Sequence, residues 1–227
     1  MVKNLAIYGK LYLDVIKLID AINRAAPTWR IIGFLDDNKE THGEIVMGYP
    51  VLGGREIIPE LVKANTYFFN NVTGHWSKSQ YIASILDAYG CRTPNLIHPA
   101  IDMNYVSIGR GCILPEGCVA GSNTRIGNFV SVRLSTLISH DVTIEDHVFI
   151  GPGVTIGSNV VIKRGSFIGA GATIMLNRVV GEFSVVGAGA LVTKDVPAGE
   201  TVAGVPARIM RKKGEACHET FHAKNDH

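Results

Sequence analysis

The sequence lacks three features that would place it in large functional classes. It has no run of Lys or Arg long enough to bind nucleic acid or an anionic membrane, and its 22 basic against 20 acidic side chains give a formal net charge of only +2. Neither nucleic acid nor an anionic membrane surface is therefore an expected partner. No apolar run approaches the ~18 residues that cross a bilayer, which predicts no membrane insertion. The first residues, MVKNLAIYGK, lack the apolar core and cleavage site of a signal peptide, so we expect a cytoplasmic location.

Cysteine is also scarce, and its positions show neither metal-binding spacing nor a disulfide framework. The four cysteines are Cys91, Cys112, Cys118 and Cys217. Hydrophobic residues make up 46% of the 227-residue chain, so a core can form without help from a metal or a disulfide. We expect free thiols and no metal site.

Strand-like and helix-like segments alternate up to residue 97. Strands are predicted in NLAIYG, WRIIGFLDD and TYFFNNV, and helices in LYLDVIKLIDAINRA, REIIPELVKA and SQYIASILDAYG. The first helix is predicted to bury Leu11, Val15, Leu18 and Ile22. This order predicts a small Rossmann-like α/β domain with a mostly parallel sheet over residues 1–97. Its ligands are expected at the carboxyl ends of the strands, near Gly9 and Lys10, Asp36 to Asn38, and Asn70 to Gly74.

From Ile108 the rhythm changes to six residues, and fifteen hexads follow without a gap to Pro197. The first position is Ile, Leu or Val in every hexad except that of Ala120, and the fifth is small or β-branched except at Arg178. The second position is glycine in eight hexads, which we expect to ease the corner between strands. A period of six predicts a hexapeptide β-solenoid whose first and fifth positions face inward. Cys112 and Cys118 then fill inward-facing positions.

These hexads end in VVGAGALVTKDVPAGETVAGVPARIMRKK and, with the α/β domain before them, resemble the hexapeptide-repeat acyltransferases. The resemblance is to the group of sialic acid O-acetyltransferases and nucleotide-aminosugar N-acetyltransferases, from Met1 to about Lys213. It implies a left-handed parallel β-helix of five coils over residues 98–213, followed by a disordered tail over residues 214–227. It also implies a homotrimer with acetyl-CoA between neighbouring β-helices, and a sugar acceptor held partly by the N-terminal domain.

The resemblance assigns the chemistry to His140 and Asp141, which match the family's His-Asp or His-Glu pair. They are the third and fourth residues of a hexad, on an exposed corner. The histidine would be the general base, since imidazole exchanges protons near neutral pH. The carboxylate would fix the tautomer of the ring. We expect no serine or cysteine beside His140 as a nucleophile, and hence direct transfer of the acetyl group.

By the register of the family, the acetyl donor lies near Phe149, Ala170 and Ala188. Phe149 stands where many relatives have a second histidine that contacts acetyl-CoA. His147, two positions earlier, either replaces that histidine or is a plain surface residue. A metal site from His140 and His147 is not expected, because no third ligand is supplied.

The residues expected at the acceptor depart further from the family. The loop GKLYLD keeps Gly9, with Lys10 beside it, in place of a Gly-rich loop. Asp36 and Asp37 in GFLDDN either contact the nucleotide sugar or form the turn after a strand. Arg133 replaces an Asn and either binds a carboxylate or phosphate in bidentate fashion or forms a surface ion pair.

The leading hypothesis is an acetyl-CoA-dependent acetyltransferase acting on the amine or hydroxyl of a sugar, nucleotide-linked and destined for a surface polysaccharide. One alternative is a dinucleotide-binding module, since Gly9 ends a strand and Asp36 follows it, but the GxGxxG pattern is absent. The other is a trimeric scaffold without catalysis, suggested by Phe149, Arg133 and the altered first loop.

Overall fold

The computed structural model describes residues 1–210, which form an α/β domain followed by a β-solenoid. The predicted tail over residues 214–227 lies outside the described residues. The elements of the first domain are β1 (Lys3–Tyr8), α1 (Asp14–Ala25), β2 (Trp29–Leu35), β3 (Ile45–Val46), β4 (Tyr49–Gly53), α2 (Ile58–Lys63), β5 (Tyr67–Asn70) and α3 (Trp76–Ala88). None of the helices within residues 1–210 has the length and apolar character needed to traverse a bilayer.

The sheet of the first domain has the strand order β3-β4-β2-β1-β5. Its pairs are parallel except for the β3–β4 hairpin, which confirms the predicted mostly parallel sheet. The hairpin itself was not predicted. Its turn residues Met47 and Gly48 have φ of 50° and 85°, as a two-residue hairpin turn requires. Methionine at the first turn position gives no sequence signal for such a turn.

The first helix is shorter than predicted, and the placement of Leu11 on its buried face is wrong. Leu11 is 81% exposed and precedes the helix, which begins at Asp14. The side-chain amide of Asn71 donates to the carbonyls of Gly9 and Tyr12, at 3.1 Å each, and holds this segment as a loop. The buried residues of α1 are Val15, Ile16, Leu18 and Ile19. The second predicted helix also starts late, because a 3₁₀ turn occupies Arg55–Ile57 before α2.

The solenoid consists of short strands, mostly two residues long, on three faces. The strands are β6 (Leu96–Ile97), β7 (Val106–Ile108), β8 (Ile113–Leu114), β9 (Val119–Ala120), β10 (Thr124–Ile126), β11 (Ser131–Val132), β12 (Leu137–Ile138), β13 (Thr143–Ile144), β14 (Phe149–Ile150), β15 (Thr155–Ile156), β16 (Val161–Ile162), β17 (Phe167–Ile168), β18 (Thr173–Ile174), β19 (Val179–Val180), β20 (Val185–Val186), β21 (Leu191–Val192), β22 (Thr201–Ala203) and β23 (Arg208–Ile209). Face 1 comprises β7, β10, β13, β16 and β19; face 2 comprises β6, β8, β11, β14, β17, β20, β22 and β23; face 3 comprises β9, β12, β15, β18 and β21.

Stacked residues on each face lie 18 positions apart, so three hexads form one coil of a left-handed parallel β-helix. On face 1, for example, Ile144 pairs with Ile126 on one side and Ile162 on the other. All three are buried, as are the fifth-position residues such as Val142, which confirms the inward-facing pattern. Near the C-terminal end the offset shortens to 16 residues, where Val185 pairs with Thr201, and the antiparallel β23 ends face 2.

The second-position glycines were expected to ease the corners, but the corner conformation lies elsewhere in the hexad. The fourth position of each hexad, from Gly111 to Gly189, adopts the left-handed conformation, with φ from 53° to 78°. The second-position glycines are needed because the coils stack closely. A Cβ on Gly121 would lie 2.6 Å from the backbone nitrogen of His140, and one on Gly151 would lie 2.6 Å from that of Ala170.

Candidate active site

A polar pair occupies the corner between face 3 and face 1, in the loop that joins β12 to β13. His140 Nδ1 lies 2.7 Å from Asp141 Oδ2, and Asp141 Oδ1 accepts a hydrogen bond from Asn123 Nδ2 at 2.5 Å. Asn123 lies 18 residues before Asp141, on the preceding coil. The side chains of His140 and Asp141 are 57% and 41% exposed, so the imidazole is open to a ligand.

The hydrogen bonds of Asp141 fix the tautomer of the neutral imidazole. Those from His140 and Asn123 lower the pKa of the carboxyl group, which is therefore a carboxylate and can only accept. The neutral ring must then carry its hydrogen on Nδ1, with a lone pair on Nε2. This is the tautomer that a base acting through Nε2 requires.

A serine does lie beside His140, and the expectation that none acts there as a nucleophile stays a prediction. Ser158, on the next coil of the same corner, places its Oγ 2.9 Å from His140 Nε2. The same hydroxyl is 2.8 Å from Ser139 Oγ. The stacking of residues 18 apart produces this contact, since position 158 lies directly beyond position 140.

His147 lies at a different corner, between face 1 and face 2. Its ring stacks on that of Phe129, with centroids 5.5 Å apart and planes inclined by 4°, and its Nδ1 is 3.3 Å from Ser79 Oγ. Burial lowers the pKa of this imidazole. His147 is thus a half-buried packing residue rather than a plain surface one. No group of three or more His, Cys, Asp or Glu within residues 1–210 is arranged to hold a metal ion.

Face 2 and the N-terminal domain enclose an aromatic cleft of about 230 Å³. The rings of Phe149 and Phe167 stack on the strands of face 2, with centroids 4.8 Å apart. Trp76 of α3 packs on Phe183 at 4.4 Å, and Tyr12 contacts Phe149 from the loop after β1 at 6.4 Å. The N-terminal domain therefore covers Phe149 within the same chain.

Arg133 lies beside this cleft as a buried cation, 9% exposed. Its guanidinium lies 3.9 Å from the centroid of the Tyr12 ring and 5.3 Å from that of Phe149, and Nη2 donates to Thr73 Oγ1. Within residues 1–210 its Nε has no hydrogen-bond partner and no carboxylate pairs with it. Burial lowers its pKa to about 10, so the group is still charged near neutral pH. A surface ion pair, one of the two predicted roles, is wrong.

Ala170 and Ala188 stack on the corner between face 2 and face 3, and both are exposed. Each follows the strand of face 2 by two residues, Ala170 after β17 and Ala188 after β20. Their backbone carbonyl and amide groups differ in the hydrogen bonds that they make. The carbonyl of Ala170 accepts from Gly189, whereas neither alanine N–H donates to a backbone carbonyl of the described residues.

The predicted acceptor residues of the first domain meet at the carboxyl edge of its sheet. Asp37 accepts hydrogen bonds from the hydroxyl of Tyr8, at 2.6 Å, and from Arg55. Burial opposes ionisation of Asp37, but the hydrogen bonds from Arg55 and Tyr8 outweigh it and lower the carboxyl pKa. Asp37 is therefore already paired inside the domain.

The neighbouring residues of this edge also have partners within the domain. Asp36 Oδ1 accepts from the amide of Asn38 at 2.9 Å, which is the turn role that the sequence left open. Lys10 pairs with Glu44 at 2.7 Å. Gly9 has a φ of 93°, and a Cβ there would lie 2.7 Å from the side chain of Val72, so this position requires glycine.

The bacterial transferase hexapeptide family (six repeats) matches residues 141–176. The acetyltransferase domain of PglB from Neisseria gonorrhoeae is 30% identical, with a TM-score of 0.82, and the match covers 92% of this chain and 100% of that one. The chain belongs to the hexapeptide-repeat acetyltransferases. No curated protein sequence matches it.

Two further solved structures resemble this hexapeptide-repeat acetyltransferase. WeeI from Acinetobacter baumannii is 27% identical, with a TM-score of 0.81, over 92% of this chain and 100% of that one. A variant of GDP-perosamine N-acetyltransferase from Caulobacter crescentus, in complex with CoA and GDP-perosamine, is 22% identical, with a TM-score of 0.84, over 93% and 99%. At that identity the last likeness supports the fold alone.

The structure of the acetyltransferase brings its candidate residues into four groups rather than one. Gly9, Lys10, Asp36 and Asp37 share the sheet edge, Phe149 lies in the cleft with Arg133 beside it, and Ala170 and Ala188 lie on the corner between face 2 and face 3. His140 and Asp141 are on the corner opposite face 2, so within one chain they face away from the sheet edge and the cleft.

Sequence reasoning missed Tyr12, Trp76 and Ser158. For Ser158 a signal existed, because a three-hexad coil places residue 158 beside residue 140. The stacked pair of Phe149 and Phe167 has the same spacing of 18. No comparable rule predicts Tyr12 and Trp76, because their contacts depend on how the first domain docks on face 2.

Proposed function

We propose that this enzyme transfers the acetyl group of acetyl-CoA to the amine or hydroxyl of a nucleotide-linked sugar in surface polysaccharide synthesis. The observation that carries the proposal is the exposed His140 ring, with its Nδ1 held by Asp141 at 2.7 Å and its Nε2 left basic. One relative supports it, because the Neisseria domain was also solved with acetyl coenzyme A, at 29% identity. The predicted cytoplasmic location stays a prediction.

In this proposal His140 is the general base. The acceptor nitrogen or oxygen attacks the thioester carbonyl and loses its proton toward Nε2, while CoA leaves as the thiol. Asp141 stabilises the imidazolium that forms, because its carboxylate already holds Nδ1–H. General-base catalysis of this kind is typically worth ~10²–10⁴-fold in rate.

The proposal includes a homotrimer, because a single chain keeps the base apart from the sheet edge and the cleft. His140 lies between face 3 and face 1, whereas Phe149 lies on face 2, on the opposite side of the prism. Side-by-side packing of β-helices can bring the His140 corner of one copy to the cleft of its neighbour. The active site would then be shared between subunits, with the base from one and the acceptor domain from the other.

The donor is proposed to lie along Phe149, Ala170 and Ala188. Two exposed alanines on successive coils leave room for an extended chain such as the pantetheine arm of CoA. Their amide N–H groups, which donate to no backbone carbonyl of the described residues, are suited to the carbonyl oxygens of that arm or of the thioester. The half-buried ring of Phe149 offers an apolar surface next to them.

The acceptor is proposed to bind between the sheet edge of the first domain and Arg133. A buried guanidinium without a carboxylate is costly unless a ligand supplies the anion. Arg133 sits against Tyr12 and Thr73, which belong to the loops after β1 and β5, so it adjoins the sheet edge that carries Gly9 and Lys10. We therefore infer that the acceptor presents a phosphate or carboxylate to Arg133.

The test is the release of thiol from acetyl-CoA with a panel of nucleotide-linked amino sugars and their hydroxyl counterparts. We expect acceptor-dependent release that is lost in His140→Ala while the trimer and acetyl-CoA binding remain. A monomeric mass at micromolar concentration, or full turnover in His140→Ala, would contradict the proposal. If none of the acceptors causes thiol release but a protein partner binds tightly, the scaffold alternative would be favoured.

A further inference from the structure

The hydroxyl of Ser158 occupies the position through which a proton must reach the base. Because Nδ1–H is committed to Asp141, the only lone pair of the neutral His140 ring is on Nε2. Ser158 Oγ lies 2.9 Å from that nitrogen. An acceptor group cannot reach the lone pair in the plane of the ring while Ser158 keeps this position.

The hydrogen-bonding capacity of Ser158 fits a group that both receives and passes on a proton. Its own hydrogen must point to Nε2, since Nε2 has no hydrogen to donate. Ser139 Oγ, 2.8 Å away, can then only donate to Ser158. A hydroxyl oxygen has two lone pairs, so one remains for the N–H or O–H of an incoming acceptor. Ser158 is only partly buried, which leaves that side open.

We propose that Ser158 is a further catalytic residue of the reaction proposed above, on which this inference rests, and that it relays the acceptor's proton to His140. As the acceptor atom forms its bond to the thioester carbon, its proton passes to Ser158 Oγ and the Ser158 proton passes to Nε2. When the carbon–sulfur bond breaks, the proton held by the imidazolium returns by the same route and leaves on the CoA sulfur. Ser158 ends the cycle as the unmodified hydroxyl.

The solenoid supplies a matched control for this serine. Ser122 occupies the equivalent hexad position one coil before His140, as Ser158 does one coil after it. Its carbonyl accepts from the amide of Asp141 at 3.0 Å, a contact that survives truncation of the side chain. Ser122→Ala and Ser158→Ala therefore each remove one hydroxyl from the same corner, but only the second removes the contact with Nε2.

The experiment measures kcat for acetyl transfer in both variants and repeats it in mixtures of H₂O and D₂O. We expect kcat of Ser158→Ala to fall about 10-fold, less than for His140→Ala, because the base remains and the acceptor can then give its proton directly to Nε2. Ser122→Ala should stay within about twofold of wild type. The dependence of kcat on deuterium content should be curved in wild type and Ser122→Ala, because two protons move, and nearer to linear in Ser158→Ala. Trimer mass and acetyl-CoA affinity serve as checks on folding.

Three outcomes overturn the relay. If Ser158→Ala has the same kcat as Ser122→Ala while His140→Ala is inactive, the relay is refuted but His140 is still the general base. Full activity in both Ser158→Ala and His140→Ala removes the proposed function together with it. An acetyl group found on Ser158 by mass spectrometry, after incubation with acetyl-CoA alone, makes the serine a nucleophile instead of a relay.

Discussion

His140 and His147 lie in successive hexads, yet their surroundings are opposite. His140 is exposed, and its ring contacts a carboxylate and a hydroxyl. His147 is half-buried, stacked on Phe129 and close to Ser79 of the first domain. His140 is the third residue of its hexad and His147 the fourth, with a φ of 58°, and the two lie on different corners. The residue 18 positions away also differs, Ser158 for His140 and Phe129 for His147, so neighbouring coils contribute to the chemistry of each corner.

The largest expected effect is on His140 itself. His140→Ala should lower kcat by ~10²–10⁴-fold, because it removes the base, whereas His147→Asn should cost less than about threefold. Asparagine suits position 147, since it tolerates the φ of 58° found there. Steady-state thiol release checks both variants, with trimer mass as the control. A loss in His147→Asn as large as that in His140→Ala would erase the distinction between the two corners.

The second largest effect is expected at Asp141, whose carboxylate contacts the ring of His140. Asp141→Asn should lower kcat by about 10-fold, less than His140→Ala, because the imidazole remains but its tautomer is no longer fixed. Asparagine tolerates the φ of 60° at this position, so the corner should keep its shape. The measurement is kcat, with acetyl-CoA affinity as the control for folding. Equal losses in the two variants would mean that the carboxylate does more than orient the ring.

The third prediction concerns Phe149, the stacked aromatic ring of face 2. Phe149→Ala should raise the dissociation constant of acetyl-CoA about fivefold, since a half-exposed ring contributes ~1 kcal/mol. Phe149→His should bind the donor at least comparably to wild type, because it restores the histidine that many relatives are expected to carry. Calorimetry measures both. An affinity of Phe149→Ala equal to wild type would show that the ring only packs against Phe167 and the first domain.

Periodicity predicted the β-helix well, because a change of register would have moved the apolar first-position side chains from the interior to the surface. It also placed His140 and Asp141 on one corner. It did not give the role of glycine, since close contact between coils is a property of stacked backbones and not of one hexad. Nor did it predict Tyr12 against Arg133 and Phe149, because that contact depends on the docking of two domains with unrelated sequence patterns. Ser158 lay within reach of the sequence, through the spacing of 18.

The smallest expected effect is on the stability of the corner that carries His147. Burial lowers the pKa of this imidazole, so between its folded pKa and its ordinary value near ~6.5 the unfolded chain binds more protons than the folded one. Stability must then fall as the pH drops below ~6.5. His147→Asn removes the titrating group and should lose less stability on acidification, by ~1–3 °C in Tm between pH 7 and pH 5. Thermal unfolding at the two pH values measures this. Equal slopes for wild type and His147→Asn would show that burial does not affect the titration of His147.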